Sequence, residues 1–144
     1  MGQSQGAGEA EALAIMRLLH AMDAASNGRS AMELDLRQRR LVQVLGLAGP
    51  LPIAAAGGRL GVSPSTMTGL ADRLEQQGYL ARRPHPTDRR ATVLELTAKG
   101  RRLFEREKDF YSRLIDETLA PLGRSERKLV LDALGHLEPA DGAS

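Results

Sequence analysis

The apolar residues of this chain recur mostly at the three- and four-residue intervals of amphipathic helices. This spacing predicts a first helix over residues 11–24, ended by the Asn-Gly pair at 27–28. A second helix is predicted from about residue 35 to the Gly-Pro pair at 49–50, and a third, short helix over residues 53–60. The first part of the chain is therefore predicted to be helical, with turns marked by glycine.

A fourth helix has a clear start signal. Ser63 is followed by Pro64, and a serine N-cap with proline at the first helical position is a favoured helix start. The helix is predicted to run to about residue 77, with Gly78 as its stop. At about 100° per residue, its apolar side chains share one face. The other side of the helix carries small or polar residues, namely Ser65, Gly69, Asp72 and Gln76, flanked by Thr68 and Arg73.

The spacing changes to that of strands after Gly78. Residues 79–82 and 92–96 alternate as strands do, and they predict a hairpin whose long tip is basic. Three short helices followed by a two-stranded hairpin predict a winged helix-turn-helix, a mainly α (α+β) fold. In this fold residues 64–77 form the recognition helix, and the pattern favours DNA binding.

Two helices are predicted after the hairpin. Thr97 caps a long helix that reaches about residue 120, and Ser125 caps a last helix. The apolar residues of this last helix are Leu129, Val130, Leu134 and Leu137.

Composition narrows the possible functions. At 144 residues and 42% hydrophobic, the chain suits one domain that buries roughly 70% of the surface of its unfolded form. It has no cysteine, which excludes disulfides, thiolate metal sites and cysteine nucleophiles. The three histidines lie far apart in the sequence, so neither a metal site nor another cofactor is expected: His20, His85 and His136.

Enzymatic and membrane functions are not expected either. The sequence has no carboxylate pair, nucleophile with a base, or phosphate-binding glycine loop, and Asp72 and Glu75 are interpreted as surface or lobe-positioning residues. Residues 1–8 lack the features of a signal peptide and are expected to be a disordered tail. No segment approaches the ~20 apolar residues that span a bilayer, so we expect a cytoplasmic protein.

Positive charge is concentrated in the middle of the chain. Residues 59–102 contain nine Arg or Lys against four Asp or Glu, a balance of +5, whereas the rest has eleven against fourteen, or −3. This uneven distribution of charge favours an anionic partner that binds the middle segment over nonspecific binding by the whole protein. The alternative is a solvated charged face.

Several motifs follow one another across residues 60–104, LGVSPSTMTGLADRLEQQGYLARRPHPTDRRATVLELTAKGRRLF. A helix containing DRLE, an Asp-x-Arg wing at 88–90 and LTAKG at 96–100 stand in this order at the proper separation. Together they resemble the MarR family of bacterial transcription regulators. Residues 34–61 are similar in type to the second and third helices of that family.

The resemblance implies a single MarR-type domain over residues 9–144. It implies a winged-helix DNA-binding lobe at about 35–97 and dimerisation helices at about 9–25 and 98–138. The implied molecule is a homodimer that binds a pseudo-palindromic operator in double-stranded DNA and usually represses transcription, often until a small anionic or phenolic ligand relieves it. Independently, the apolar segment 103–137 lies outside the small lobe and needs a partner to cover it.

The predicted DNA contacts of the recognition helix come mainly from small side chains. Ser65 and Thr68 are candidates to touch base edges or phosphates, and Arg73 to hold a phosphate. Ser63 is included, although capping is its favoured role. Thr66 is included too, but it lies nearer the buried side and packing is its alternative role.

The wing supplies the other predicted contacts. Arg90 is expected to enter the minor groove, where narrow A·T-rich segments concentrate negative potential. Asp88 is predicted to hold the Arg90 guanidinium by a two-point hydrogen bond, and Arg89 to reach a phosphate or its own lobe. Contacts to the DNA backbone are also expected from Arg82, Arg83 and His85. The competing interpretation is a solvated ion pair between Asp88 and these arginines, worth less than ~1 kcal/mol.

Gly69 departs from the family, which often carries a larger polar or basic side chain at this position. Glycine costs the helix about 1 kcal/mol relative to alanine, but it permits close approach of the backbone to DNA. The alternative function is a winged-helix protein-interaction module without sequence-specific DNA binding. That function predicts a neutral recognition face and wing.

Overall fold

The structure is a computed structural model that describes residues 3–27 and 34–136. The chain divides into two units, one up to Leu34 and one from Asp35 onward. The first unit contains α1 (Gln3–Asn27), which begins inside the segment that was expected to be a disordered tail. Nucleation is the costly step of helix formation, so a few further residues can extend an existing helix even though Gly6 and Gly8 are poor helix formers. The large apolar side chains exposed on α1 are Leu13, Ile15, Met16 and Leu19.

The second unit begins with α2 (Leu36–Ala48), whose start was predicted correctly. Asp35 is its N-cap: Asp35 Oδ1 accepts from the Gln38 backbone N at 2.9 Å, and Gln38 Oε1 accepts from the Asp35 backbone N at 2.9 Å. This reciprocal capping satisfies two backbone donors at the helix start. Gly49, with φ of 79°, ends the helix.

A helix-turn-helix follows α2. It consists of α3 (Ile53–Leu60) and α4 (Pro64–Gln76), joined at Gly61, whose φ of 63° is left-handed. Glycine adopts this conformation without a steric penalty. The predicted N-cap of α4 is confirmed, since Ser63 Oγ accepts from the Thr66 backbone N at 3.2 Å.

The wing is a hairpin of β2 (Leu80–Pro84) and β3 (Thr92–Leu96), as predicted. A two-residue strand, β1 (Leu51–Pro52), completes an antiparallel sheet of order β1-β3-β2, with Leu51 opposite Leu94. Two residues are too few to show a periodic pattern, so the sequence does not reveal β1. The short strand fixes the start of α3 beside the wing.

The core of the second unit lies between these helices and the sheet. Met67, Leu70, Ala71 and Leu74 form the buried face of α4, as the sequence predicted. The largest fully buried apolar side chains come from α2, α4 and the hairpin: Leu41, Val42, Met67, Leu74, Leu80 and Leu94. The recognition helix is therefore held by its whole apolar face, while its other face remains exposed.

Two helices follow the wing, α5 (Ala98–Thr118) and α6 (Arg124–Gly135). Thr97 caps α5, as predicted, but Ser125 does not cap α6. The helix begins two residues earlier, with Gly123 as N-cap, because Glu126 Oε2 accepts from the Gly123 backbone N at 2.9 Å. Leu137 lies outside the described residues. The predicted α+β winged helix-turn-helix is confirmed.

Candidate nucleic-acid interface

The start of α4 is a network of hydroxyl groups. Ser63 Oγ donates to Thr66 Oγ1 at 2.9 Å and lies 3.2 Å from Ser65 Oγ, in addition to capping the helix. Thr68 Oγ1 donates to the Pro64 carbonyl at 3.0 Å. The hydroxyls of Ser65, Thr66 and Thr68 retain acceptor capacity, since a hydroxyl oxygen has two lone pairs, whereas both lone pairs of Ser63 Oγ are used. The network orients the side chains at the first turn.

The exposed side of α4 is low in relief. A Cβ placed on Gly69 would meet no other atom within 4 Å, so the helix backbone is open to an approaching surface there. Ser65 and Thr68 are exposed beside it, and Arg73 lies one turn farther along, also exposed. Small side chains and a single guanidinium allow this face to approach a groove closely.

Arg82 does not extend away from the lobe but bridges β2 to the recognition helix. Its guanidinium lies 2.5 Å from Asp72 Oδ1 and also pairs with Glu75. Partial burial lowers the pKa of Arg82, but the hydrogen bond to Asp72 and the charge of Glu75 outweigh this effect and leave that pKa raised. Asp72 and Glu75, interpreted from the sequence as surface or lobe-positioning residues, both hold Arg82, which offsets part of their negative charge within the lobe.

Arg83 is paired within the hairpin. Its Nε lies 2.6 Å from Glu95 Oε1 on the neighbouring strand. Arg83 stands opposite Val93, so Glu95 is the diagonal residue on the same face of the sheet. Both strand arginines therefore have carboxylate partners inside the lobe, a relation that their positions in the sequence do not reveal.

The wing tip is an ordered turn between Pro84 and Thr92. The His85 backbone N donates to the Ala91 carbonyl at 3.1 Å, and the Ala91 N donates to the Asp88 carbonyl at 3.1 Å. The His85 side chain, expected to contact DNA, faces into this turn: its Nδ1 accepts from the backbone N of Thr87 at 3.2 Å and of Asp88 at 3.0 Å.

Asp88 acts differently from the prediction. Its Oδ1 accepts from the backbone N of Arg90 at 2.9 Å. Among the described residues, no ion pair joins Asp88 to the Arg90 guanidinium, so the expected two-point hydrogen bond is absent. An aspartate two residues before a backbone N–H in a turn favours this local bond over a side-chain partner. Asp88 thus shapes the backbone from which Arg90 extends.

Arg89 and Arg90 differ from the strand arginines in their surroundings. Both are exposed at the tip, and neither pairs with a carboxylate of the described residues. The +5 balance of the middle segment is therefore concentrated in side chains that lack an internal partner. Two guanidinium groups at an ordered tip form an anion-binding surface of high donor density.

The recognition helix and α5 meet at a close junction. Thr97 Oγ1 accepts from the Gly100 backbone N at 3.1 Å and donates to the Gly78 carbonyl at 2.5 Å. Lys99 Nζ donates to the Gln77 carbonyl at 2.8 Å. A Cβ on Gly100 would lie 2.0 Å from the Tyr79 carbonyl oxygen, so only glycine fits there. The LTAKG motif is thus explained by packing against the end of α4.

A buried polar contact joins α2 to α5 and was not identified from the sequence. Glu107 is 1% exposed, and its Oε2 accepts from Gln43 Nε2 at 3.2 Å. Tyr111 Oη lies 3.4 Å from the same Gln43 nitrogen. The position of Glu107 on the inner face of α5, between Leu103 and Tyr111 at helical spacing, is the only signal in the sequence.

These features define the class: a winged helix-turn-helix protein with a basic wing tip and a low-relief recognition helix. A model of the MarR family matches residues 34–92. The predicted resemblance to the MarR family is therefore confirmed over this part of the chain. Among the helices of the described residues, none is long and apolar enough to cross a membrane.

Individual relatives agree with this assignment. The uncharacterized HTH-type transcriptional regulator YcgE of Bacillus subtilis is 34% identical over 97 residues, which cover 67% of this chain and 58% of that protein. The transcriptional regulator Tm0710 of Thermotoga maritima is 29% identical, with a TM-score of 0.70 and coverage of 89% and 90% of the two chains. The transcriptional regulator PcaV of Streptomyces coelicolor, solved with its natural ligand, is 28% identical, with a TM-score of 0.60 and coverage of 83% and 85%. The chain spans between 48% and 68% of three curated relatives it matches.

Proposed function

We propose that the protein is a DNA-binding transcriptional regulator, and specifically a repressor, that binds a pseudo-palindromic operator as a homodimer. The observation that carries this proposal is the division among the arginines of the wing. Arg82 and Arg83 are paired with carboxylates of the lobe, whereas Arg89 and Arg90 at the tip have no such partner among the described residues. Unpaired guanidinium groups held on an ordered turn suit the phosphates and grooves of a duplex.

The recognition helix enters the major groove in this proposal. A B-DNA major groove, about 12 Å wide, admits an α-helix, and the small exposed side of α4 lets its backbone come close. Ser65 and Thr68 reach base edges or phosphates, and Arg73 binds a phosphate. Ser63 and Thr66, joined to each other by a hydrogen bond, hold the first turn in place. Arg82 reduces the repulsion that Asp72 and Glu75 would otherwise exert on the DNA backbone.

The wing tip follows the adjacent minor groove. Arg90 enters the groove and Arg89 contacts a flanking phosphate, since a narrow minor groove concentrates negative potential. Most of the affinity is then electrostatic and decreases as salt increases.

The dimer places two such lobes on the two halves of the operator. The apolar side chains exposed on and before α6 support it, because a self-complementary two-fold contact would cover them in both copies. They are Leu122, Leu129, Leu131 and Leu134. A two-fold dimer also matches the two-fold symmetry of a pseudo-palindromic site.

A small anionic or phenolic effector weakens operator binding in this proposal. The relation to PcaV, 28% identical and solved with its natural ligand, supports a ligand, and its anionic or phenolic chemistry is what the family resemblance implies. The proposed activity is binding alone and requires no catalytic step.

The test is a fluorescence anisotropy titration with the DNA upstream of the protein's own gene, at two salt concentrations. Arg90→Ala is expected to weaken binding about tenfold or more, and to reduce the slope of log affinity against log salt by about one. Arg124→Ala is the matched control, since it removes the same charge from an exposed position on α6. It should leave affinity within about twofold.

Other outcomes would favour the rival function, a winged-helix protein-interaction module. If wild-type protein binds the operator fragment and random DNA equally at both salt concentrations, sequence-specific recognition is wrong. If Arg90→Ala and Arg124→Ala behave alike, the wing does not take part. Selection of bound sequences by the purified protein gives the half-site spacing, which checks the two-fold geometry.

A further inference from the structure

The imidazole of His85 lies inside the wing turn as a hydrogen-bond acceptor. Its Nδ1 lies 3.2 Å from the Thr87 backbone N and 3.0 Å from the Asp88 backbone N, and the Thr87 hydroxyl is 3.4 Å away. The side chain thus bridges two consecutive N–H groups of its own turn. Aspartate and asparagine commonly make this arrangement in turns.

The partners determine the protonation state of the ring. A backbone N–H can only donate, so Nδ1 must present its lone pair. In this arrangement Nδ1 carries no proton. A proton on Nδ1 would convert the acceptor into a donor and set it against two other donors.

The contacts continue from His85 to the tip. The Asp88 backbone N donates to His85 Nδ1, and Asp88 Oδ1 then accepts from the Arg90 backbone N. The Asp88 carbonyl also accepts from the Ala91 backbone N at 3.1 Å. The direction in which Arg90 leaves the turn therefore depends on a series of bonds that begins at the imidazole.

We propose that His85 is a positioning residue for the wing, and that protonation of its imidazole loosens the turn and weakens operator binding. This inference rests on the proposed function, because it assumes that the wing tip contacts DNA. It assigns His85 a role different from a direct contact to the DNA backbone.

The two roles of His85 predict opposite effects of pH. The charged groups around the turn are Asp88, Arg89 and Arg90 within it, Arg82 and Arg83 on β2, and Glu95 on β3; Arg82 and Arg83 already have carboxylate partners. A histidine that touched phosphate would bind more tightly once charged. A histidine that must accept two N–H bonds binds more weakly as the pH falls, because a proton on Nδ1 removes the acceptor.

The experiment compares three proteins at constant ionic strength, at about pH 7.5 and about pH 5.5, on either side of the histidine range. His85→Asn is the matched variant, because its Oδ1 can accept the same two N–H bonds and does not titrate. Wild-type affinity for the operator is expected to fall about three- to tenfold more than that of His85→Asn over this interval. His85→Ala should bind weakly at both pH values. His20 and His136 remain in all three proteins and supply the common background.

A second measurement, without DNA, separates this inference from the proposed function. The amide NMR signals of Thr87 and Asp88 should shift with the titration of His85 in wild-type protein and stay constant in His85→Asn. If wild-type protein binds no operator but these signals titrate, the positioning of the turn stands and the DNA-binding function is wrong. Static signals, equal pH profiles for wild type and His85→Asn, or tighter wild-type binding at low pH would each overturn the inference.

Discussion

The winged lobe and the C-terminal segment belong to the same structural unit, but they place their apolar residues differently. In the lobe, residues 35–97, most of the large apolar side chains of α2, α4 and the sheet are buried; Leu74 is 0% exposed. In the C-terminal segment, residues 119–136, α6 has no buried residue and Leu129 is 71% exposed. The lobe therefore supplies its own core, whereas the C-terminal segment does not.

The difference indicates how the two regions obtain stability. An isolated helix of 12 residues, the length of α6, is marginal in water, since nucleation is costly. The Arg127–Asp116 ion pair connects α6 to α5, but exposed pairs contribute little. The α6 surface thus exposes apolar side chains that a second copy could cover, as the proposed dimer requires. The lobe also exposes two leucines, Leu36 and Leu47 on α2. Their helix has other residues in the core, such as Leu41, whereas α6 has none.

The largest expected effect distinguishes a core leucine from an exposed one. Leu74→Ala should lower the free energy of unfolding by about 2–5 kcal/mol, because it leaves a cavity beneath the recognition helix. Leu129→Ala makes the same chemical change on α6. In dilute solution it should lower the free energy of unfolding by less than about 0.5 kcal/mol. Its effect should instead be on association. Chemical denaturation at low protein concentration measures the first quantity, and sedimentation equilibrium the second.

Equal losses from the two substitutions would contradict the comparison, because they would mean that α6 is as well packed as the lobe in a single chain. Unchanged association of Leu129→Ala would leave the lobe unaffected but remove this leucine from the proposed dimer contact. The two measurements thus test each region separately.

The next effect concerns the junction where the lobe joins α5. Gly100→Ala should destabilise the protein by about 1–3 kcal/mol or more, because the added Cβ would lie 2.0 Å from the Tyr79 carbonyl oxygen. Gly69→Ala is the matched control on an open helix surface, where it should stabilise by up to about 1 kcal/mol. Thermal unfolding of both variants checks the sign of each change.

Operator affinity provides a second test of the open helix surface at Gly69. In the proposed function Gly69→Ala weakens operator binding despite its higher stability, because a methyl group then separates α4 from the groove floor. If Gly69→Ala destabilises the protein, the helix surface at Gly69 is not open. If Gly100→Ala leaves stability unchanged, Gly100 does not pack against the Tyr79 carbonyl.

The features predicted correctly from sequence are those with a local cause. Ser63 and Thr97 are recognised because an N-cap depends on a hydroxyl and a nearby backbone N–H. The buried face of α4 follows from helical spacing, and the hairpin from alternation bounded by turns. The resemblance to the MarR family, carried by ordered motifs, then indicates how these elements are arranged.

The features that the sequence did not reveal depend on contacts across the fold or on a choice between nearby partners. The pairing of Arg82 with Asp72 is set by the approach of β2 to α4, which no local pattern encodes. Asp88 could bond a guanidinium or a backbone N–H, and the turn geometry decides for the latter. At α6 the N-cap is Gly123, whose backbone N donates to Glu126, and not Ser125 as expected.

The smallest expected effect concerns the contact that joins the wing to the recognition helix. Arg82→Ala removes the ion pairs to Asp72 and Glu75, and it should cost about 1 kcal/mol of stability, since both partners are substantially exposed. It also leaves two carboxylates on α4 without a partner, so operator affinity should fall several-fold at low salt. At high salt the affinity of Arg82→Ala should come closer to the wild-type value than that of Arg90→Ala, because salt screens the exposed carboxylates. Arg83→Ala is the control, because it removes one pair within the hairpin and leaves α4 unchanged. Chemical denaturation measures the stability of the two variants, and anisotropy titration measures their operator affinity. Equal stability and equal affinity of Arg82→Ala and Arg83→Ala would mean that the lobe does not depend on Arg82 to hold the wing to the recognition helix.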